Sequence, residues 1–221
     1  MILRLIVACF FVGSTIFFAE AARMNKWVSG ERARKIIHIF VGIWAAWLPL
    51  WLGWRSIIVL GFLLLVGVFV AERLKFVKSI RSVSRSTVGE YLFPVTMIIL
   101  AIFFKNSIIF AASMLQLGLS DGMAAVIGTR YGKKTTFKIM GNKKSKHGTV
   151  TFLALSTAIY LWALWSLHPG VAFSSFGASA VSLLLAVSLS CVVTVAELTG
   201  RKGIDNITVP LLTAISLTLL S

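Results

Sequence analysis

The chain has 221 residues, of which 58% are hydrophobic and 13% charged, and Lys and Arg outnumber Asp and Glu 22 to 7. That composition excludes an ordinary soluble domain, in which apolar residues make up about half of the chain and charged residues about a quarter. The net charge of +15 invites a nucleic-acid reading, but the cations sit in short stretches between long apolar runs, which points to a membrane protein with no nucleic-acid partner.

In chain order the apolar runs cover residues 2–19, 36–52, 56–71, 91–104, 107–127, 149–167, 176–196 and 207–220. A hydrocarbon core of about 30 Å asks for roughly 17–25 helical residues, which most runs meet with their flanks. The run 91–104 is short and either begins near Val88 or is a partial span. The runs are continuously apolar rather than alternating, so helices are expected rather than a β-barrel. The expected fold is all-α: a polytopic transmembrane helix bundle of about eight spans in one domain, residues 1–221, with no linker or tandem repeat.

Four basic stretches alternate with the runs. Residues 20–35 hold Arg23, Lys26, Arg32, Arg34 and Lys35; 72–90 hold Arg73, Lys75, Lys78, Arg81 and Arg85; 129–147 hold seven, from Arg130 to Lys146; 197–206 add Arg201 and Lys202. With eight spans all four fall on one side, which the positive-inside rule makes cytoplasmic. Arg4, Arg55 and Lys105 lie in the alternate connections. Ala19-Glu20-Ala21 also resembles a signal-peptide cleavage site, but cleavage would export Arg23 and Lys26, so residues 2–19 are read as a span. Cys9 and Cys191 lie inside apolar runs without a CxxC partner and are expected to be small core hydrophobes.

All seven acids map to the basic side. Glu20, Glu31 and Glu72 have basic neighbours and are expected to do no more than pair with them. Asp121 differs, because it ends an apolar segment, LGLSDGMAAVIG, where a carboxylate is costly and functional by default. Gly118 and Gly122, four apart, permit close helix packing or the approach of a ligand. The following loop, 129–148, supplies cations: Lys133, Lys134, Lys143, Lys144 and Lys146 among Gly132, Gly141 and Gly148, with Ser145, Thr149 and Thr151 at the start of the sixth span. Lysines and exposed backbone N–H groups suit phosphate, although a solvated basic loop on anionic lipid fits the composition equally. AELTGRKGIDNITVP, residues 196–210, adds Glu197, Asp205 and Asn206, with Asn206 as a helix cap and Pro210 in a first turn. Arg34, Lys35 and His38 stand at the start of the second span, and Arg85, Ser86 and Glu90 before the fourth. A lone histidine such as His38 is more often structural than functional.

Carboxylates, lysines and glycines at one membrane face suggest a magnesium–nucleotide site, because phosphoryl transfer needs charge neutralisation, positioning and hard oxygen ligands more than covalent help. A small transporter or scaffold is the non-enzymatic rival; it would place polar groups near the midplane rather than at one face.

Four stretches, RKIIHIFVG (34–42), STVGEYLFP (86–94), SDGMAAVIGTRYGKK (120–134) with KSKHGT (144–149), and AELTGRKGIDNITVPL (196–211), together resemble the CTP-dependent lipid-alcohol kinases: dolichol, phytol and polyprenol kinases and the CTP-dependent diacylglycerol kinase. His147 stands where that family often has an acidic or small residue. The resemblance implies CTP as phosphoryl donor, a divalent metal such as Mg2+, and a long-chain lipid alcohol as acceptor, at the cytoplasmic face of what is expected to be a prokaryotic cell membrane. On that reading Asp121 and Asp205 contact the metal and act in catalysis with Glu197 in support. Gly128, Gly132, Lys133, Lys143, Lys144, Ser145, Lys146 and Gly148 hold the triphosphate. Arg34, Lys35 and His38 line the entrance, with Glu90 and Asn206 in the second rank. CDP-diacylglycerol synthases share part of the middle motif and are the enzymatic alternative.

Overall fold

The computed structural model describes residues 2–74, 88–169, 176–201 and 203–221. Lys75, Lys78, Arg81, Arg85, Ser86 and Lys202, named above, lie outside the described residues. The elements in order are α1 (Ile2–Met24), α2 (Gly30–Ala46), α3 (Trp54–Leu74), α4 (Gly89–Phe103), α5 (Ser107–Leu115), a π-turn (Gln116–Ser120), α6 (Asp121–Tyr131), strands β1 (Thr136–Ile139) and β2 (Asn142–Ser145), then α7 (Lys146–Leu167), α8 (Phe176–Thr199) and α9 (Asp205–Leu220). Each apolar run has become a helix. Among the described residues six helical segments are long and apolar enough to cross a membrane, whereas Gly89–Phe103 and Asp205–Leu220 are apolar but shorter.

The α5–π–α6 rod, Ser107–Tyr131, is the centre of the bundle: 67% of its most apolar window is buried, against 33% or less in the other five long helices. It packs on α2, α7 and α9, while α7 also packs on α8, and α4 on α3 and α9. Its close approach to α2 is made by glycines, for a Cβ on Gly118 would run into the Gly42 backbone and one on Gly122 into the Ile39 side chain. The outer helices turn Phe10, Phe17, Phe62 and Leu184 outward, as a bundle does when its solvent is as apolar as its core. This also corrects the expectation for the two cysteines. Cys9 and Cys191 are exposed on outer helix surfaces and unpaired, because an apolar run in such a bundle marks lipid-facing positions as readily as core ones.

Caps fix the helix starts. Ser29 accepts from the Arg32 N–H, and Asn106 from the N–H groups of Ile108 and Ile109. At the far end of α2 and the start of α3 the rings of Trp44 and Trp51, and of Trp54 and Phe110, meet edge to face, as Trp47 does with Trp162. Such a belt suits a membrane–water boundary. The basic stretch 129–147 is not an irregular loop. β1 and β2 pair antiparallel, with Phe137 opposite Lys144 and Lys138 opposite Lys143. Met140 and Gly141 both take positive φ at the turn, +47° and +80°, the requirement of a type I′ hairpin.

Candidate active site

At the end of the bundle opposite the tryptophan belt, the starts of α2, α4, α7 and α9 and the ends of α6 and α8 surround a cavity of about 1040 Å³, roofed by the hairpin. Three carboxylates from three elements converge there. One oxygen each of Asp121, Glu197 and Asp205 lie within 4.8 Å of one another. Asp121 begins α6 and is ten positions short of its end at Tyr131, about 15 Å at 1.5 Å per residue, so it is deeper than the helix terminus suggested by the sequence. Glu197 lies in the last turn of α8 and Asp205 opens α9. The turn between them is tight: a Cβ on Gly200 would meet the Asp205 backbone and side chain.

Two of the carboxylates pair with lysines. Lys35 Nζ donates to Asp121 Oδ2 at 3.0 Å. Lys144, projecting from β2 through the alternation that also turns Asn142 inward, forms an ion pair with Glu197 and donates to its carbonyl at 3.0 Å. Burial of Lys144 opposes its charge, yet Glu197, with Asp205 and Asp121 behind it, outweighs that and raises the amine above its ordinary pKa. His38 Nε2 is 2.9 Å from the Leu117 carbonyl and 3.5 Å from Asp121 Oδ2. A carbonyl only accepts, so Nε2 carries the proton and the ring is a donor toward both oxygens.

The glycines that the sequence offers as a phosphate cradle serve first as packing positions. Added Cβ atoms on Gly128 and Gly132 would strike the Ser145 hydroxyl, and one on Gly148 would lie 2.8 Å from the Ala124 carbonyl. They let α6 and α7 close around Ser145, whose Oγ accepts the Gly148 N–H at 3.1 Å and caps α7. Asn206 does not cap α9. Its amide donates to the Gly89 carbonyl at 2.9 Å, tying α9 to α4. Pro210 is likewise the sixth residue of α9 rather than a first-turn residue.

Of the candidates, Asp121, Asp205, Glu197, Gly128, Lys133, Lys143, Lys144, Ser145, Gly148, Arg34, Lys35, His38 and Asn206 line the cavity. Gly132 packs beneath Ser145, Lys146 is exposed, and Glu90 faces Arg34 at 3.7 Å. Glu20 pairs with Arg23 as expected, whereas Glu72 accepts from the Tyr91 hydroxyl rather than from a basic neighbour. His147 faces the Thr135 hydroxyl at 2.9 Å, and His168 the Leu220 carbonyl. Sequence reasoning passed over Thr129, Thr136, Asn142 and Arg201, which also line the cavity. Asn142 and Thr136 were legible in principle, because Thr-Phe-Lys-Ile and Asn-Lys-Lys-Ser flank a Gly as strands flank a turn.

The donor set suits a hard cation. Carboxylate oxygens are Mg2+ ligands at about 2.0–2.1 Å, so opposed ligands stand about 4.2 Å apart, close to the 4.8 Å limit of this cluster. The surrounding lysines have the complementary charge for phosphate oxygens.

No family model matches the chain, and no solved structure does. Among curated proteins it is 30% identical to the phytol kinase of Synechocystis over 219 residues, covering 93% of this chain and 86% of that one. The chain belongs to the CTP-dependent lipid-alcohol kinase family.

Proposed function

We propose that this lipid-alcohol kinase transfers the γ-phosphoryl group of CTP to the hydroxyl of a long-chain isoprenoid alcohol of the phytol or polyprenol type. The observation that carries the proposal is the convergence of Asp121, Glu197 and Asp205 within 4.8 Å, under a lysine-bearing hairpin. The phytol kinase relative favours phosphoryl transfer over the cytidylyl transfer of CDP-lipid synthases and over a transporter. With α5–π–α6 counted as one rod, eight helical segments cross the membrane in this reading, and the positive-inside rule applied to the basic segments supports a cytoplasmic cavity, where nucleotide is available.

Asp121 and Asp205, with Glu197 beside them, would hold Mg2+, which when bound would supply positive charge to offset that of the phosphates. Lys133, Lys143 and Lys144 neutralise the remaining triphosphate oxygens from the hairpin side. Lys35 flanks Asp121 and has further N–H donors for the transferring group, while His38, whose one N–H faces the Leu117 carbonyl and Asp121, orients that carboxylate. Asp121 takes the proton of the alcohol. The alcohol oxygen forms a bond to the γ-phosphorus as the bond from that phosphorus to the bridging oxygen breaks, and CDP leaves with the electron pair.

The test is a product assay on purified protein with labelled CTP and a panel of phytol, geranylgeraniol, polyprenol and diacylglycerol. A monophosphorylated isoprenoid supports the reading. A CDP-lipid assigns the synthase chemistry instead, and the absence of any nucleotide-dependent product sinks it.

A further inference from the structure

We infer that Gln116 is a positioning residue for Asp121, acting from inside the bundle through the π-turn that separates α5 from α6. The inference rests on the reading of Asp121 as a cavity carboxylate. Gln116 has no exposed surface and lies in the apolar run of the central rod. It is held at both ends of its amide: Ser156 Oγ of α7 donates to its Oε1 at 2.8 Å, and its Nε2 points back at the Ser156 carbonyl, 3.5 Å away. Its own carbonyl receives the Asp121 backbone N–H, five residues on, which is the hydrogen bond that defines the π-turn. Gln116 therefore links α7, whose start carries Ser145 and follows Lys144, directly to the backbone of Asp121.

The turn decides where Asp121 points. A π-turn accommodates one extra residue, and one residue is about 100° of rotation in a regular α-helix. If α5 ran on as an unbroken helix, Asp121 would swing by about that angle away from Glu197 and Asp205. The distorted form leaves a cost: among the described residues the buried Ser120 hydroxyl has no hydrogen-bond partner. The turn is held instead by tertiary contacts. Gln116 grips α7, His38 donates to the Leu117 carbonyl at 2.9 Å, and Gly118 sits against the Gly42 backbone of α2. Of these, only Gln116 joins the turn to α7, the helix that follows the hairpin. A buried amide is costly unless bonded, and a leucine or methionine would fill the space without that cost if packing were its whole purpose.

The experiment compares the full-length wild type with Gln116→Met and Ser156→Ala in detergent. It measures kcat and nucleotide KM for isoprenoid-alcohol phosphorylation, Mn2+ affinity by electron paramagnetic resonance, and thermal stability. The expected result is a kcat at least tenfold lower in Gln116→Met, Mn2+ binding weakened by a similar factor, nucleotide KM within threefold, and a smaller change of the same pattern in Ser156→Ala. The double exchange Gln116→Ser with Ser156→Gln should restore part of the loss. A drop in melting temperature with kcat and Mn2+ affinity unchanged in either variant overturns the inference in favour of a packing role. If Gln116→Met fails to fold, Ser156→Ala decides by the same criteria. A wild type that neither binds Mn2+ nor phosphorylates any alcohol defeats the functional reading itself and the inference with it, an outcome distinct from loss confined to the variants.

Discussion

Thr96 donates its hydroxyl, at 2.8 Å, to the Asn206 carbonyl, the acceptor that Pro210, four residues on and lacking an N–H, cannot serve within α9. The same Asn206 donates its amide to Gly89. One residue thus fastens α9 to α4 twice, and it immediately follows Asp205. The arrangement explains how a helix interrupted by proline can hold a cavity carboxylate at a fixed height.

Replacing Thr96 with valine keeps the shape and removes the donor. Both groups are buried, so the orphaned carbonyl should cost about 1–3 kcal/mol, read as a lower melting temperature of the purified protein. Thr96→Ser, which keeps the hydroxyl, should lose much less. Equal losses in the two variants would assign the effect to packing.

The approach of Gly42 and Gly118 gives a second expectation. An added Cβ at either position meets backbone rather than a movable side chain, whereas Gly13 and Gly67 have nothing within 4 Å. Gly118→Ala should destabilise the fold by about 1–3 kcal/mol, as overpacking does, and reduce activity by tilting Asp121. Gly13→Ala and Gly67→Ala should be neutral or slightly stabilising. Detergent melting curves on the four proteins test the contrast.

Much of this was legible in the sequence, and for identifiable reasons. The apolar runs yielded helices because membrane hydropathy is a strong, one-dimensional signal. Asp121 stood out because a lone carboxylate in such a run is costly, and Glu197 and Asp205 because they cluster with glycine at a span boundary. The hairpin went unread because its strands are four residues each, too short for alternation to outweigh the lysines. The roles of Asn206 and Pro210 were misplaced because the start of α9 is set by contacts with α4, more than a hundred residues earlier in the chain. Gln116 carried a readable signal, an amide among aliphatics, but its partner Ser156 is visible only in three dimensions.

Asp121→Asn should abolish transfer, a loss of at least a hundredfold in kcat, while the protein still inserts and melts as a folded species. The amide keeps the volume but gives up the charge that Lys35 and His38 face and that a divalent cation needs. Treatment of the wild type with a chelator should give the same loss, restored by Mg2+, whereas Asp121→Asn should gain nothing from added Mg2+. A variant with near-normal turnover removes Asp121 from the site.

Lys144 provides the sharpest separation of charge from fold. Its partner Glu197, together with Asp205 and Asp121, holds the amine above its ordinary pKa. An amine with a raised folded-state value contributes stability that is fully present below the unfolded value of about 10.4 and fades only as pH climbs through the higher folded one. Lys144→Met should therefore differ from the wild type by a constant stability offset between about pH 6 and 9. It should also lose about a hundredfold in kcat/KM for nucleotide, the scale of removing one preorganised charge from a reaction centre. Lys144→Arg keeps the charge and should recover stability more fully than activity, because a planar fork cannot reproduce the compact ammonium between Glu197 and the cavity. A stability offset that shrinks between pH 6 and 9, or nucleotide kinetics untouched in Lys144→Met, would contradict the pairing and return the hairpin to the role of a solvated basic loop.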